Sequence, residues 1–335
     1  MIYYENLNNK IFDSNKHADE FLVLSGFIST LPIKEVEKLP YETTVIYGMY
    51  EQEGISNRLH TSLVKINAES PNVRINYASE AIHSKCYLWR QHGNIIDAVT
   101  GSANFTSKGL YSYKREILTD IEPADYDDLN NYINNILADS KNCSEIGSED
   151  LKIRNYVKTA YTVKDKEIKV FPQVCKASLL SRKKPNYVNE GGDLNWGFSP
   201  KGHTKKGDAY ITIDSNMIRN FPELFPPKKM YASDLDKGGK SFRQNDCIEL
   251  IWDDGTSMLG LLEGSKTDKN GLTYPNKLSS FPSKNIIGLY IRERLGVAPD
   301  HIITYEDLIS YGRTDITISL IGDGVYSMDF SRPTE

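Results

Sequence analysis

His83-Ser84-Lys85 and, sixteen residues after the lysine, Gly101-Ser102-Ala103-Asn104 bring an imidazole, an ammonium, a hydroxyl and a carboxamide into one short stretch. With 28 Lys and 6 His in the 335 residues, chance alone supplies on the order of 0.5 H-x-K tripeptides, so neither half decides anything by itself. The order and setting carry the weight. His83 and Lys85 open an apolar run, Cys86 to Trp89. Ile95 to Thr100 reads as a second short strand that ends in the Gly-Ser turn. Neighbouring strands would bring all four groups to one sheet end.

Such a set suits a phosphodiester. His83 can attack phosphorus through one ring nitrogen and divide a very slow reaction into two steps through a phospho-histidine. Lys85, one pleat away on the same face, can neutralise the non-bridging oxygens. Ser102 and Asn104 add donors to that developing charge. Glu116, twelve residues past Asn104 on a strand expected over 116–121, can hold the second nitrogen of a histidine and fix its tautomer. The scheme requires neither metal nor cofactor. The competing bland reading makes His83 and Lys85 solvated strand ends and Gly-Ser-Ala-Asn a simple turn.

The surrounding elements read as an α/β layer. Residues 21–28 and 43–50 have a buried-strand pattern, and Val73 to Tyr77 forms a third strand. The spacing of Leu59, Leu63 and Ile66 predicts an amphipathic helix between Ser56 and Ala68. Pro123 begins a further helix to about Ala138, with acids in its first turn. Residues 139–169 are polar and read as a linker or surface helix.

A chain of this length suggests two domains, here 1–165 and 166–335. From Pro172 onward 21 basic and 21 acidic residues balance, which leaves 19 and 24 of the totals of 40 and 45 for residues 1–171. Nucleic-acid binding is therefore sought in local basic patches rather than in overall charge. Cys86, Cys143, Cys175 and Cys247 form no C-x-x-C pair, so neither a disulfide framework nor a zinc site is indicated. No signal-type N-terminal segment and no run of eighteen apolar residues is present, and the expectation is a cytoplasmic protein without membrane partners.

Beyond Val170 the texture becomes mainly β. Strands are expected over 174–180, 209–214, 246–252, 257–263, 285–292, 314–321 and 325–330, with Asp253-Asp254-Gly255 and Gly322-Asp323-Gly324 as hairpin turns. Thr304 with Asp307 predicts a helix over Tyr305 to Tyr311. Many short strands joined by turns read as a barrel or sandwich. Long polar segments interrupt them. One carries Trp196, Lys201, His203, Lys205 and Lys206; a second carries Lys266, Lys269, Asn276 and Lys277; a third ends in Arg243 and Gln244. Basic, amide-rich loops can contact phosphates and base edges, or can be solvated loops and nothing more.

His83-x-Lys85 followed by Gly101-Ser102-x-Asn104 and the acidic Glu116 resembles the phospholipase D superfamily signature in its nuclease branch. The acidic residue that the signature carries a few positions after the lysine is missing; Asp97 comes much later. Within that branch the chain resembles the NgoFVII-like (NgoAVII-like) type II restriction endonucleases. Asp193-Leu194-Asn195-Trp196-Gly197, Asp208-Ala209-Tyr210-Ile211 and Tyr311-Gly312-Arg313-Thr314 resemble their C-terminal DNA-recognition half. That half is similar to the plant B-three-type pseudobarrel. The resemblance implies a phospholipase D-like α/β nuclease domain, a pseudobarrel that grips the major groove of double-stranded DNA, and in some members a helicase-like ATPase partner.

The expected activity is metal-independent, sequence-specific DNA cleavage. A lipid phosphodiesterase is disfavoured by the missing export signal and membrane helix. A metal-dependent nuclease would use Asp150-Leu151-Lys152 or Glu167-Ile168-Lys169, tripeptides of which chance supplies roughly four. A catalytically dead binding module is disfavoured by the intact His83, Lys85 and Asn104. Superfamily sites use two H-x-K sets, and the second one here, His203-Thr204-Lys205, lacks a following Gly-Ser-x-Asn. A homodimer through the N-terminal domains is therefore expected, with an intramolecular His203 as the alternative.

Overall fold

The computed structural model describes residues 1–15, 17–112, 115–154, 174–200, 204–228 and 246–333. The chain forms two compact units, Met1–Tyr156 and Val157–Glu335; the boundary expected after residue 165 lies outside the described residues. In the first unit the order is β1 (Ile2–Tyr3), α1 (Leu7–Phe12), β2 (Glu20–Ser25), α2 (Thr30–Val36), β3 (Glu42–Tyr47), α3 (Tyr50–Glu53), α4 (Asn57–Glu69), β4 (Val73–Tyr77), β5 (Lys85–Gln91), β6 (Asn94–Gly101), α5 (Ser107–Tyr111), β7 (Leu118–Asp120), α6 (Tyr126–Asp139) and β8 (Lys141–Asn142). One mixed sheet runs β1-β7-β6-β5-β2-β3-β4-β8. Its centre, β2 and β3, is parallel, and β5 joins β2 antiparallel.

Central strands covered on both faces read as continuous apolar runs, which is why Cys86 to Trp89 is buried throughout rather than alternating. One face, with Leu22, Leu24, Cys86, Leu88 and Ala98, packs under Ile133, Leu129 and Ile136 of α6. On the other, Phe21 stacks on Trp89 at 4.8 Å. The two helices expected from periodicity are present: Ser56 caps α4 by accepting from the Leu59 N–H at 3.2 Å. The strands expected over 21–28 and 43–50 stop early, at Ser25 and Tyr47. Gly48 turns the chain there, and a Cβ on it would sit 2.2 Å from the Ile82 carbonyl oxygen. The described part of the expected linker belongs to this unit instead: β8 pairs with β4, and Ile153 bridges to Ile55.

The second unit contains β9 (Val174–Ser178), β10 (Ile211–Thr212), α7 (Ser215–Asn220), β11 (Asp246–Trp252), β12 (Ser257–Glu263), β13 (Lys266–Thr267), β14 (Thr273–Tyr274), β15 (Lys277–Ser280), α8 (Asn285–Leu295), α9 (Tyr305–Tyr311), β16 (Asp315–Gly322) and β17 (Val325–Asp329). Its main sheet runs β10-β15-β12-β11-β17-β16-β9, and the end strands approach each other. The result is a nearly closed pseudobarrel. The helix over Tyr305 to Tyr311 has the capping box its sequence predicts.

One expectation is corrected: Asn285 to Arg292 is helix α8, not a strand. Its β-branched residues suggested a strand, but Ile287 and Ile291 lie one helical turn apart and are both fully buried. Gly296, in the left-handed region at φ 72°, ends the helix. Tertiary contacts hold it: the buried Arg292 donates to the carbonyl oxygens of His301, Gly288 and Leu194 at 2.8, 2.9 and 3.2 Å. Among the described residues no helix is long and apolar enough to cross a membrane.

Candidate active site

The pairing register builds the site. Ser25, at the carboxyl end of β2, lies opposite Lys85, the first residue of β5, and Cys86 lies opposite Thr100 near the end of β6. Carboxyl ends of parallel strands are where open α/β sheets place their ligands. His83 is exposed and sits just before β5, outside regular secondary structure. Gly26, the residue after β2, marks the point of convergence. A Cβ there would lie 2.7 Å from His83 Cδ2, 3.3 Å from Asn104 Oδ1 and 3.3 Å from Lys85 Nζ.

Each group is held by local bonds. Asn104 Oδ1 accepts from the Phe27 N–H at 3.1 Å, with Ser25 Oγ at 3.5 Å. A backbone N–H can only donate, so this bond sets the orientation of the carboxamide and leaves Nδ2 as its donor. Ser25 Oγ donates to the Phe27 carbonyl at 2.7 Å and accepts from the Phe105 N–H at 2.8 Å, which ties the two loops together. Lys85 is buried, and its Nζ donates to the His83 carbonyl at 2.6 Å. Burial pulls its ammonium below the ordinary lysine value, and Glu116 works against that shift. The Phe27 ring meets the His83 imidazole edge-on at 5.9 Å.

Ser102 and Glu116 are paired with each other. The Ser102 hydroxyl donates to Glu116 Oε2 and accepts from the Ile117 N–H at 3.1 Å, so its proton is directed to the carboxylate rather than to a phosphate. Glu116 stands two residues ahead of β7, and among the described residues no hydrogen bond joins it to His83. Gly101 makes the close approach possible, since a Cβ there would meet the Ile117 oxygen at 2.1 Å. Sequence reasoning missed Ser25, Gly26 and Phe27. Their signal was a pair of small residues closing a buried strand.

In the second unit the expected DNA contacts divide. Lys205, Lys206, Lys266 and Lys269 are exposed. Lys266 donates to Ser215 Oγ, and Lys206 lies 3.7 Å from Asp300. Trp196, Asn276 and Lys277 are half-buried. Lys277 Nζ sits 4.4 Å from the Trp196 ring and 4.2 Å from the Tyr210 ring. Burial lowers the Lys277 pKa, Glu263 and Asp193 oppose the shift, and Lys284 adds to it. The Asn276 Oδ1 is buried without a partner among the described residues. Lys201, His203, Arg243 and Gln244 lie outside the described residues. Asn195 of the expected DNA-facing loop is fully buried instead, where its Nδ2 donates to the Ile303 carbonyl at 2.8 Å.

Residues 5–149 match the NgoFVII restriction endonuclease N-terminal PLD domain, and residues 169–322 match the NgoFVII C-terminal B3-like DNA-binding domain. Fold and matches together define a DNA-cleaving enzyme of phospholipase D type joined to a DNA-binding domain. The chain belongs to the NgoFVII restriction endonuclease family. A comparison with curated proteins finds no match. Similar solved structures include NucT from Helicobacter pylori, at 13% identity over 42% of this chain and 97% of that one, with a TM-score of 0.34. The phospholipase D family member Nuc from Salmonella typhimurium shows 14% identity over 40% and 86% of the two chains, with a TM-score of 0.27. Polyphosphate kinase from Porphyromonas gingivalis shows 13% identity over 49% of this chain, with a TM-score of 0.32. The chain spans about a quarter, 26%, of that kinase.

Proposed function

We propose that the protein is a sequence-specific restriction endonuclease of a cytoplasmic restriction–modification system, which hydrolyses double-stranded DNA through a phospho-His83 intermediate without a metal. The observation that carries this reading is the convergence of His83, Lys85 and Asn104 around Gly26. A phosphate seated there meets a nucleophile, a buried cation and an oriented amide donor. A nitrogen of His83 attacks phosphorus, the N–P bond forms, and the P–O bond to the leaving deoxyribose breaks. A second imidazole protonates the departing oxygen; it then takes a proton from water as that water attacks phosphorus and releases His83. Lys85 Nζ and Asn104 Nδ2 stabilise the charge on the non-bridging oxygens.

The second imidazole is assigned to another copy of His83, in a homodimer formed through the first unit. Glu116, steadied by Ser102, is assigned to orienting that second ring. Sequence readout is assigned to the C-terminal unit, with Lys205, Lys206, Lys266 and Lys269 on phosphates, and a helicase-like ATPase subunit remains a compatible partner. The alternative is a non-specific phosphodiesterase.

The experiment is cleavage of a mixed duplex substrate in EDTA, with the cut ends sequenced. Discrete, recurring ends support the reading. Random ends favour the alternative, and cleavage only after divalent metal is restored refutes the metal-free scheme. Mixing wild-type chains with an excess of His83→Ala chains should suppress activity if two copies share one site; unaffected wild-type activity refutes the dimer.

A further inference from the structure

We propose that Arg154 is a substrate-positioning residue that grips a DNA phosphate flanking the scissile one. The residue lies between the two matched segments, which end at 149 and begin at 169, yet it is built into the rim of the cleavage site. Its guanidinium lies over the Phe27 ring at 5.2 Å, and the same ring meets the His83 imidazole at 5.9 Å. The two spacings together put the guanidinium within about 11 Å of the nucleophile. Phosphates of one strand recur about every 3.4 Å along the duplex axis, so an arginine at that range meets a neighbour within about three steps of the phosphate at His83.

The mount is firm. The Arg154 N–H donates to the Ile55 carbonyl at 2.9 Å, Ile153 bridges to Ile55, and Arg154 Nη2 pairs with Glu53 Oε2 at 3.3 Å. Stacking on an aromatic face fixes the plane of a guanidinium while its edge makes the hydrogen bonds, the arrangement arginine uses on phosphates. Its side chain is 22% exposed, whereas Lys85 is buried and turned to the His83 carbonyl. This half of the chain also carries more acids than bases, 24 against 19 up to residue 171. A strand approaching His83 therefore needs a local cation outside the reacting centre, and Arg154 supplies one.

The inference rests on the proposed DNA cleavage, and its test separates the two. The full-length wild type, Arg154→Ala, Arg154→Lys and Glu53→Gln are assayed on duplex DNA and on bis(p-nitrophenyl) phosphate, which has one phosphate and no neighbours. For Arg154→Ala, kcat/KM on DNA should fall about tenfold relative to the small diester, mostly through KM. The slope of log kcat/KM against log salt should lessen by about 0.9. Arg154→Lys should keep the slope. Glu53→Gln, which removes the ion pair but not the guanidinium, should keep both slope and ratio. An unchanged slope in Arg154→Ala, equal losses on both substrates, or a Glu53→Gln variant that reproduces the loss would overturn the assignment. A wild type that hydrolyses the small diester but no DNA would instead overturn the proposed substrate, and the role of Arg154 with it.

Discussion

Gly26→Ala tests the site geometry most directly. The new methyl would lie 2.7 Å from His83 Cδ2, where carbon atoms pack at about 3.5–4.0 Å. The imidazole must therefore withdraw by about 0.8 Å or more. It can do so, because His83 lies in an exposed segment outside regular secondary structure. Gly26 does not carry a positive φ, so alanine costs little in the backbone. A displacement of about 1 Å at a reacting group lowers rate by roughly a hundredfold, or about 2.7 kcal/mol in the barrier. Single-turnover cleavage should therefore fall by about two orders of magnitude, with specific DNA binding kept and Tm within about 4 °C of wild type. Gly101→Ala is the contrast. Its methyl would meet the Ile117 carbonyl oxygen at 2.1 Å, backbone that cannot retreat without parting β6 from β7, so stability itself should fall by about 3 kcal/mol or more. Wild-type cleavage in Gly26→Ala, or equal thermal destabilisation by the two variants, would refute this account.

Lys85→Met should trade activity for stability. The folded-state pKa of Lys85 is depressed, so its charged form costs folding energy at neutral pH, and that cost fades as pH rises through the folded pKa. Denaturant titration should show a gain of about 0.5–2 kcal/mol at pH 7 that shrinks in alkaline buffer, while cleavage drops by roughly a hundredfold or more. The same depression places the alkaline limb of the wild-type pH–rate profile below the ordinary lysine range. In the second unit, Lys269→Ala should lower the salt slope of DNA binding by about one unit. Lys277→Ala should instead mainly lower thermal stability, because its ammonium is packed against Trp196 and Tyr210.

The candidate site was legible because its chemistry is confined to a few residue types at short spacing. His83, Lys85 and Asn104 do meet, since β5 and β6 pair as neighbouring strands. The role expected for Ser102 was not legible in the same way. Whether a hydroxyl faces a phosphate or a carboxylate depends on the return of the chain at Glu116 and Ile117, which no local pattern encodes. Lys205 and Lys277 read alike in sequence as basic loop residues, yet one is exposed and the other is half-buried with its ammonium against two aromatic rings.

The alternation of apolar residues, the caps at Ser56 and Thr304 and the Asp-Gly turn at Asp254-Gly255 are short-range signals. They determined most strands and helices and the α/β-then-β order, and they singled out His83 as the candidate nucleophile. Residues 285–295 escaped that reading because β-branched content and helical spacing disagree there, and packing of the buried Arg292 against His301, Gly288 and Leu194 settled the conflict. Only the tertiary structure could bring in Gly26 and Arg154, which stand 57 residues before and 71 after His83 in the chain. The physical reason is register: β2 pairs with β5, and the segment after β8 returns to Ile55, through backbone hydrogen bonds that carry no residue signature.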